Sequence, residues 1–466
     1  MRVTLLGHAT VLVEVGGANV LIDPVLQDPF GEGMLVACPA RRVTGLPRID
    51  LIILTGGRPD HVDVPSLARL SPDATVICPK DSRILYILDR LGFRKVRPTE
   101  PSSVIRIAAG VEVVTTQSAR KAPEFGVLVK DATGTFWDPV STALSRPIID
   151  PVLARFGPID LLLAGYAYPE FGYFGVQRAG FPGPFLRAAV DAAAHVAPRL
   201  IVPGSAGFRF AEPFAWTNAF IFPISPQRFV ADLGRIAPAL ATATGNPGDV
   251  FEVGHGRVER RPGASPFVAM TADDTERIVY DPSAEVPALS DPNCDGYAAA
   301  VLEQQVAATF AELTAFLCTS YEADPAIAEQ RRAGGSYGLG VVFPDGHERW
   351  LRVGFDGSTP VIAQGEGPIR GALRTTRIAA SVLTARARYE RGYPYPGGLT
   401  RITRINPARL VDGKVAIEPK EPPELLMHWI RVKPPGWGVH GKQVLDFQIA
   451  AALAQPSPAP LVGGAR

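Results

Sequence analysis

Residues 54–63 read LTGGRPDHVD, and how this stretch is read decides the fold. Leu51 to Thr55 is a continuous apolar run of strand length, and Asp63-Val-Pro-Ser then opens a helical pattern through Leu67 and Leu70. The chain between them therefore turns from a strand into a helix, and the turn carries Arg58, Asp60 and His61. Upstream, Val3 to Leu6, Val11 to Val15 and Asn19 to Ile22 are β-rich runs broken by Gly7-His8 and Gly16-Gly17. That pattern predicts a meander ending in a turn at Asp23-Pro24.

Downstream, strands and helices alternate. Strands are expected at Thr75 to Cys78, Val104 to Ile107, Val111 to Thr115, Val127 to Lys130, Leu161 to Ala164 and Leu200 to Val202. Helices are expected at about Asp81 to Leu91, Pro184 to Val196 and Pro226 to Ile236. Two sheets covered by helices use this order well. Around Gly254 to Ser265 the chain becomes rich in Gly, Arg and Pro, which marks a boundary. Beyond it, apolar positions three and four apart predict a helix from Tyr297 to about Phe316. Strands follow at Leu339 to Phe343, Trp350 to Phe355 and Val361 to Gln364, then a helical stretch from Thr376 to Tyr389 and a β-rich run at Leu399 to Ile405. The expected organisation is a first α/β domain over residues 1–262, a smaller α+β domain over 263–455, and a disordered Pro- and Gly-rich tail at 456–466.

A chain of 466 residues, 46% of them hydrophobic, has enough material for two domains. Lys and Arg total 47 against 46 Asp and Glu, so the net charge of +1 provides no global field for nucleic acid or an anionic membrane. The four cysteines, Cys38, Cys78, Cys294 and Cys318, lie far apart without a C-x-x-C pair, which fits a reducing cytoplasm. Neither a signal peptide nor an apolar run of membrane-spanning length is read in the chain. GSAGF at 204–208 lacks the spacing of a nucleophile elbow, and there is no P-loop or dinucleotide fingerprint and no basic aromatic stripe.

The LTGGRPDHVD stretch resembles the metallo-β-lactamase superfamily, in which a strand delivers Thr-His-x-His-x-Asp-His to a turn so that several ligands converge on one or two metals. Thr55, Asp60 and His61 match that pattern, while Gly56 and Arg58 stand where it has its first two histidines. GHATVLVEVGGANVLIDP is similar to the opening meander of the family. The resemblance implies a four-layer αββα metallo-β-lactamase-like sandwich with the second, smaller α+β domain appended. PRLIVPGSAGF and ISPQRF are similar to the non-Rieske part of CMP-N-acetylneuraminic acid hydroxylases, whose Rieske module has no counterpart here. The C-terminal part resembles those hydroxylases more weakly, and faintly sterol-carrier-protein-like folds.

The family's third histidine position falls in QSARKAPEFG, which offers Arg120 instead. Its bridging carboxylate falls in TFWDPVSTA, where Ser141 holds the closest register with Asp138 beside it. Between His195 and His255 there is no histidine, and the first 194 residues contain only His8 and His61. Two complete metal sites cannot be built from these side chains. The expectation is a degenerate, metal-free site in which Arg58 pairs with Asp60 or Asp138 in place of the metal's charge. Such a site is expected to bind a small polar or anionic ligand through Arg58, Arg120, Ser141 and Tyr166, or the protein to serve as a partner subunit, with a biosynthetic pathway as the setting. Asp60, His61 and Arg58 are the catalytic candidates if the vacated site works without metal. The alternative is a hydrolase or iron-dependent oxygenase holding one iron or zinc ion on Asp60, His61 and Asp138, with His8 as a further candidate donor. An aromatic loop at Tyr166, Tyr168, Tyr173 and Phe174, and the remaining histidines, read as structural.

Overall fold

A computed structural model describes residues 1–455 except 167–180, 205–206, 274–278, 368–371, 392–398, 405–407, 418–423 and 433–436. The expected tail at 456–466 and Tyr168, Tyr173 and Phe174 lie outside the described residues. The chain divides into two compact units at Pro282/Ser283, with residues from Gln448 onward returning to the first.

The first unit contains the two sheets expected of a four-layer αββα sandwich. The eight-stranded sheet runs, edge to edge, through Arg257–Arg261, Val250–Gly254, Arg2–Gly7, Thr10–Val15, Ala18–Ile22, Leu51–Ile53, Thr75–Cys78 and Lys95–Pro98. The meander pairs antiparallel as its alternation requires, with Val13 opposite both Val3 and Val20. The next three strands run parallel, so each needs a crossover segment. The helix Ser82–Arg90 forms one such crossover, capped by Asp81 and burying Ile84, Ile87 and Leu88.

The six-stranded sheet runs through Leu200–Gly204, Leu161–Gly165, Thr135–Asp138, Gly126–Lys130, Val111–Thr116 and Val104–Ala108. The core between the sheets joins Val3, Val13, Val20, Ile22 and Ile53 from one to Val113, Val127, Val129, Phe136 and Leu161 from the other. Each fully buried side chain of this size contributes roughly 1.5–3 kcal/mol. On the outer face of the second sheet, helices Arg146–Phe156, Gly183–Val196 and Pro226–Ile236 bury Ile149, Val152, Leu186, Val190, Phe229 and Leu233 against Leu128, Trp137 and Leu162.

The division lies beyond the expected boundary at 262/263. Val268–Ala272 pairs antiparallel with Ala40–Val43, and Thr44 N donates to Phe267 O at 2.8 Å. This ties the Gly- and Arg-rich stretch into the first unit.

The second unit is α+β. Its sheet runs through Thr359–Gly365, Glu348–Asp356, Ser336–Val342, Ala372–Ala379 and Thr400–Arg404. Helices Ala299–Ser320, Ala380–Ala387 and Leu425–Val432 contribute Val306, Phe310, Leu313, Leu383 and Leu426 to a core with Tyr337, Leu339, Leu351 and Ile378. The helical stretch expected from Thr376 begins only at Ala380. Thr376 to Ala379 end a strand, because they pair in parallel with Leu339 to Val342 of the central strand. Among the described residues, no helix is long and apolar enough to cross a membrane.

Candidate functional site

The loop after Leu51–Ile53 is shaped by backbone bonds: Arg58 O accepts from His61 N and Val62 N at 2.9 Å each, closing a tight turn. Asp63 then caps the following turn of helix through Ser66 N at 3.0 Å. The turn directs Asp60 and His61 inward, with 14% and 1% of their side chains exposed, and leaves Arg58 at 49%.

His61 is held from behind. Its Nδ1 lies 2.7 Å from Asp23 Oδ2, and Asp23 also accepts from Thr55 N at 2.8 Å and from the Thr55 hydroxyl. Asp23 is fully buried at the end of the meander, at a positive φ of 41° that Asp tolerates better than most residues. A carboxylate facing Nδ1 places the proton there, so Nε2 keeps its lone pair and points forward. Arg58 Nη2 lies 2.6 Å from that Nε2 and 3.1 Å from Asp60 Oδ2. One guanidinium nitrogen therefore bridges Asp60 and His61.

His8 completes the group from the turn between the first two strands, at φ 50°. Its Nε2 lies 3.4 Å from Asp60 Oδ2, and its ring stacks on Phe30 and meets Phe208 edge-on. Only 1% of the side chain is exposed; its Nδ1 has no hydrogen-bond partner, and the polar neighbour of its Nε2 is Asp60. His8, Asp60 and His61 offer ligand atoms within 4.8 Å of one another.

The electrostatics follow from these distances. Burial alone would raise the Asp60 carboxyl, but the charges of His61 and Arg58 outweigh it and hold it well below the usual carboxylate range. Burial pushes the His8 imidazole down, favouring its neutral form. Burial also works against charge on His61, yet Asp60 and Asp23 together raise its pKa. A proton and the Arg58 guanidinium thus compete for the same Nε2. The arrangement offers an Asp-oriented imidazole as a base, with a guanidinium beside it to stabilise negative charge.

The other expected residues lie elsewhere. Asp138 is fully buried and its Oδ1 accepts from Val140 N at 2.8 Å; it is not in the His8, Asp60 and His61 group. Arg58 takes Asp60 of the two expected carboxylate partners. Arg120 is exposed on the loop after Val111–Thr116, its backbone N donating to Ser118 Oγ at 3.2 Å. Ser118, rather than Arg120, donates to Glu124, at 2.6 Å. A side chain grown from Gly56 would meet Glu124 Cβ at 3.5 Å, so the loop carrying Arg120 and Glu124 packs beside Gly56. Ser141 is half-buried in the turn after Thr135–Asp138. Tyr166 is buried against Phe229, and burial raises its hydroxyl above the usual phenol range. The sequence marks Asp23 only as a turn residue, although it directly follows the apolar strand Ala18–Ile22.

Residues 18–204 match the model of the β-lactamase superfamily domain, a stretch that includes Asp23, Arg58, Asp60 and His61 and begins after His8. A UPF0173 protein from Pyrococcus furiosus is 28% identical over 214 residues, which is 44% of this chain and 82% of that protein. Among solved structures, an isothiocyanate hydrolase from Delia radicum gut bacteria is similar over 55% of this chain and 100% of its own, at 14% identity and a TM-score of 0.39. A variant of the CmlA β-hydroxylase is similar over 53% of this chain and 52% of its own, at 20% identity and a TM-score of 0.38.

Proposed function

Taking residues 18–204 as a β-lactamase superfamily domain, we propose that its pocket works without the metal pair of the metallo-enzymes and binds a small polar or anionic ligand, with Arg58 supplying the fixed positive charge. The observation that carries this reading is the bridge from Arg58 Nη2 to Asp60 Oδ2 and His61 Nε2. A zinc ion on His61 Nε2 would sit roughly 2.0–2.1 Å from that atom. Arg58 Nη2 already takes the same lone pair at 2.6 Å, and one lone pair serves one partner. With Gly56 and Arg58 in place of two histidines, the residues present do not fit a two-metal centre.

Half of the Arg58 side chain remains exposed, which leaves donors to fork onto a carboxylate or phosphate. The likeness of PRLIVPGSAGF to the non-Rieske part of CMP-N-acetylneuraminic acid hydroxylases extends it to a cytoplasmic biosynthetic setting with a separate protein partner.

The test is thermal stability in phosphate, citrate and a nucleotide sugar. At a hundredfold excess over Kd, binding linkage contributes about 2.7 kcal/mol, a shift of several degrees. The shift is expected in the natural chain and lost in Arg58→Ala. No shift with any of the three, or one that survives the substitution, contradicts the anion-binding reading.

A second reading, a hydrolase or iron-dependent oxygenase with a single ion, is favoured by the spacing of His8, Asp60 and His61. It requires Arg58 to leave.

A further inference from the structure

Six strands end the three larger sheets, and five of them are guarded against pairing with another chain. Lys95–Pro98 exposes Lys95 and Arg97, Arg257–Arg261 exposes Arg257, Glu259 and Arg261, and Val104–Ala108 exposes Arg106. Thr400–Arg404 carries Arg401 and Arg404. Leu200–Gly204 has no charge but is covered, because Ile201 N donates to Ala241 O and Ile201 O accepts from Ala243 N, at 3.0 Å each. The sixth, Thr359–Gly365 of the second unit, reads TPVIAQG: it has no charged side chain and, among the described residues, a strand on one side only. Such an edge presents a row of backbone donors and acceptors that a further strand can complete. Its two faces differ as well. Ile362 packs into the core of the second unit, whereas Thr359, Val361 and Ala363 alternate with it and are exposed, Val361 by 52%.

We propose that this edge is a self-association surface, on which two copies of the chain pair antiparallel through Thr359–Gly365 and join their five-stranded sheets into one. This concerns the second unit alone and is independent of the reading of the Arg58 site.

Charge and order favour a second copy as the occupant. Identical strands laid side by side bring each charge close to its own copy, which is repulsive on four of the other edges and absent here. The nearest charge on the exposed face is Arg352, one strand further in and opposite Ala363. In a pair, the two Arg352 side chains would stand three strand spacings apart, roughly 14 Å, which exceeds the screening length of about 8 Å at physiological salt. Glu366, just past the strand, would face its own copy in a parallel pair but lies at the opposite end in an antiparallel one. A second copy also brings its edge already ordered, held in register by Trp350 to Asp356, whereas a loose peptide must first be fixed at a cost of about 1–2 kcal/mol per residue. A two-fold pair uses up both edges, so association closes at the dimer. Pro360 has no N–H to donate, which confines the full ladder to residues 361–365. So short a contact falls below the roughly 1,200–2,000 Å² of a standard stable interface, and the dimer is expected to be reversible and concentration-dependent.

The experiment is sedimentation velocity on the full chain from low micromolar to several hundred micromolar. Four proteins are compared: the natural chain, Ala363→Lys, Ala363→Glu, and Thr403→Lys as a control at an exposed position of the opposite edge strand. Melting curves establish that each is folded. The natural chain and the control should pass from monomer to dimer over the series. Ala363→Lys and Ala363→Glu should each weaken the dimer at least tenfold, and an equimolar mixture of the two should restore it, a recovery that a misfolded variant cannot produce. A natural chain that stays monomeric throughout overturns the proposal, whatever else the edge then binds. A dimer that persists in both charged variants places the interface elsewhere and overturns it equally. Weakening in both variants without recovery on mixing overturns the two-fold pairing.

Discussion

Asp23→Asn tests whether the site is built from behind. Three donors converge on the Asp23 carboxylate: Thr55 N at 2.8 Å, the Thr55 hydroxyl, and His61 Nδ1 at 2.7 Å. Asparagine keeps the size and tolerates the positive φ of 41°, but it has one acceptor oxygen and presents an NH2 group to the remaining donors. At least one charge-assisted bond is lost, about 1.5–3 kcal/mol, and a buried donor is left facing another donor, about 1–3 kcal/mol more. With Asp23 fully buried and 1% of the His61 side chain exposed, water cannot repair the loss, and the expected destabilisation is about 3–5 kcal/mol. Urea denaturation of the full chain, read on the transition of the first unit, measures it. Asp150→Asn is the control, because Asp150 pairs with His195 at the surface with 60% of its side chain exposed, where such pairs contribute about 0–1 kcal/mol. Nitrogen-15 shifts of His61 should also report the proton moving from Nδ1 to Nε2, which expels Arg58 from its acceptor. A loss below about 1 kcal/mol, or one no larger than the control's, would refute the claim that Asp23 orients His61.

Burial raises the Asp63 carboxyl to about 6 from 3.8, partly offset by Ser66 and Arg41. Its folded form binds the proton more tightly, so stability falls as pH rises from about 4 to 7; Asp63→Asn should gain on the natural chain over that interval, by on the order of 3 kcal/mol, and a pH-independent gap contradicts this. Gly234, inside the helix Pro226–Ile236, has open space where a Cβ would go, so Gly234→Ala should stabilise by about 0.5–1 kcal/mol. Gly126→Ala should instead cost about 1–3 kcal/mol, because its Cβ would meet Pro139 Cα at 2.8 Å; equal effects at the two glycines contradict the packing argument. In the second unit, Tyr337→Phe removes a hydroxyl that donates to the buried Glu424 carboxylate, and denaturation should show a loss of about 1.5–3 kcal/mol.

The elements legible in the sequence are those whose apolar residues form a dense run of strand length or recur at helical spacing. Thr10–Val15 and Ala18–Ile22 pair in the meander that their alternation indicates, and Pro226–Ile236 is a helix over the expected span. Elements with weak or contradictory patterns were missed. Lys95–Pro98 (KVRP) is an edge strand with one apolar aliphatic residue, and Val268–Ala272 (VAMTA) is apolar throughout except Thr271 yet buries only Val268, so neither shows the period of a half-buried strand. Arg146–Phe156 has helical spacing in Ile148, Ile149, Val152 and Phe156, but Pro151 inside it reads as a breaker. At Thr376 the apolar positions suit either period, and pairing with the central strand decides between them.

The site divides the same way. Arg58, Asp60 and His61 share one loop, so their proximity is local and readable. Asp23 and His8 reach it through the sheet: the first from the end of a neighbouring strand, the second from a turn whose positive φ the sequence does not announce. The pairing of Arg58 with Asp60 follows from charge and spacing, whereas its contact with His61 Nε2 depends on Asp23 fixing the imidazole. Arg120 shows the limit of matching by position, since the loop that carries it turns Glu124 and Ser118 toward each other and leaves the arginine exposed.

The central claim is that a guanidinium holds the metal's place. Its most direct test is the zinc and iron content of the natural chain, purified without chelator from cells supplied with both metals and then exposed to a stoichiometric excess of each. The account predicts far less than one tightly held ion per chain after gel filtration. One ion per chain, retained through gel filtration and lost on His61→Ala, would contradict it.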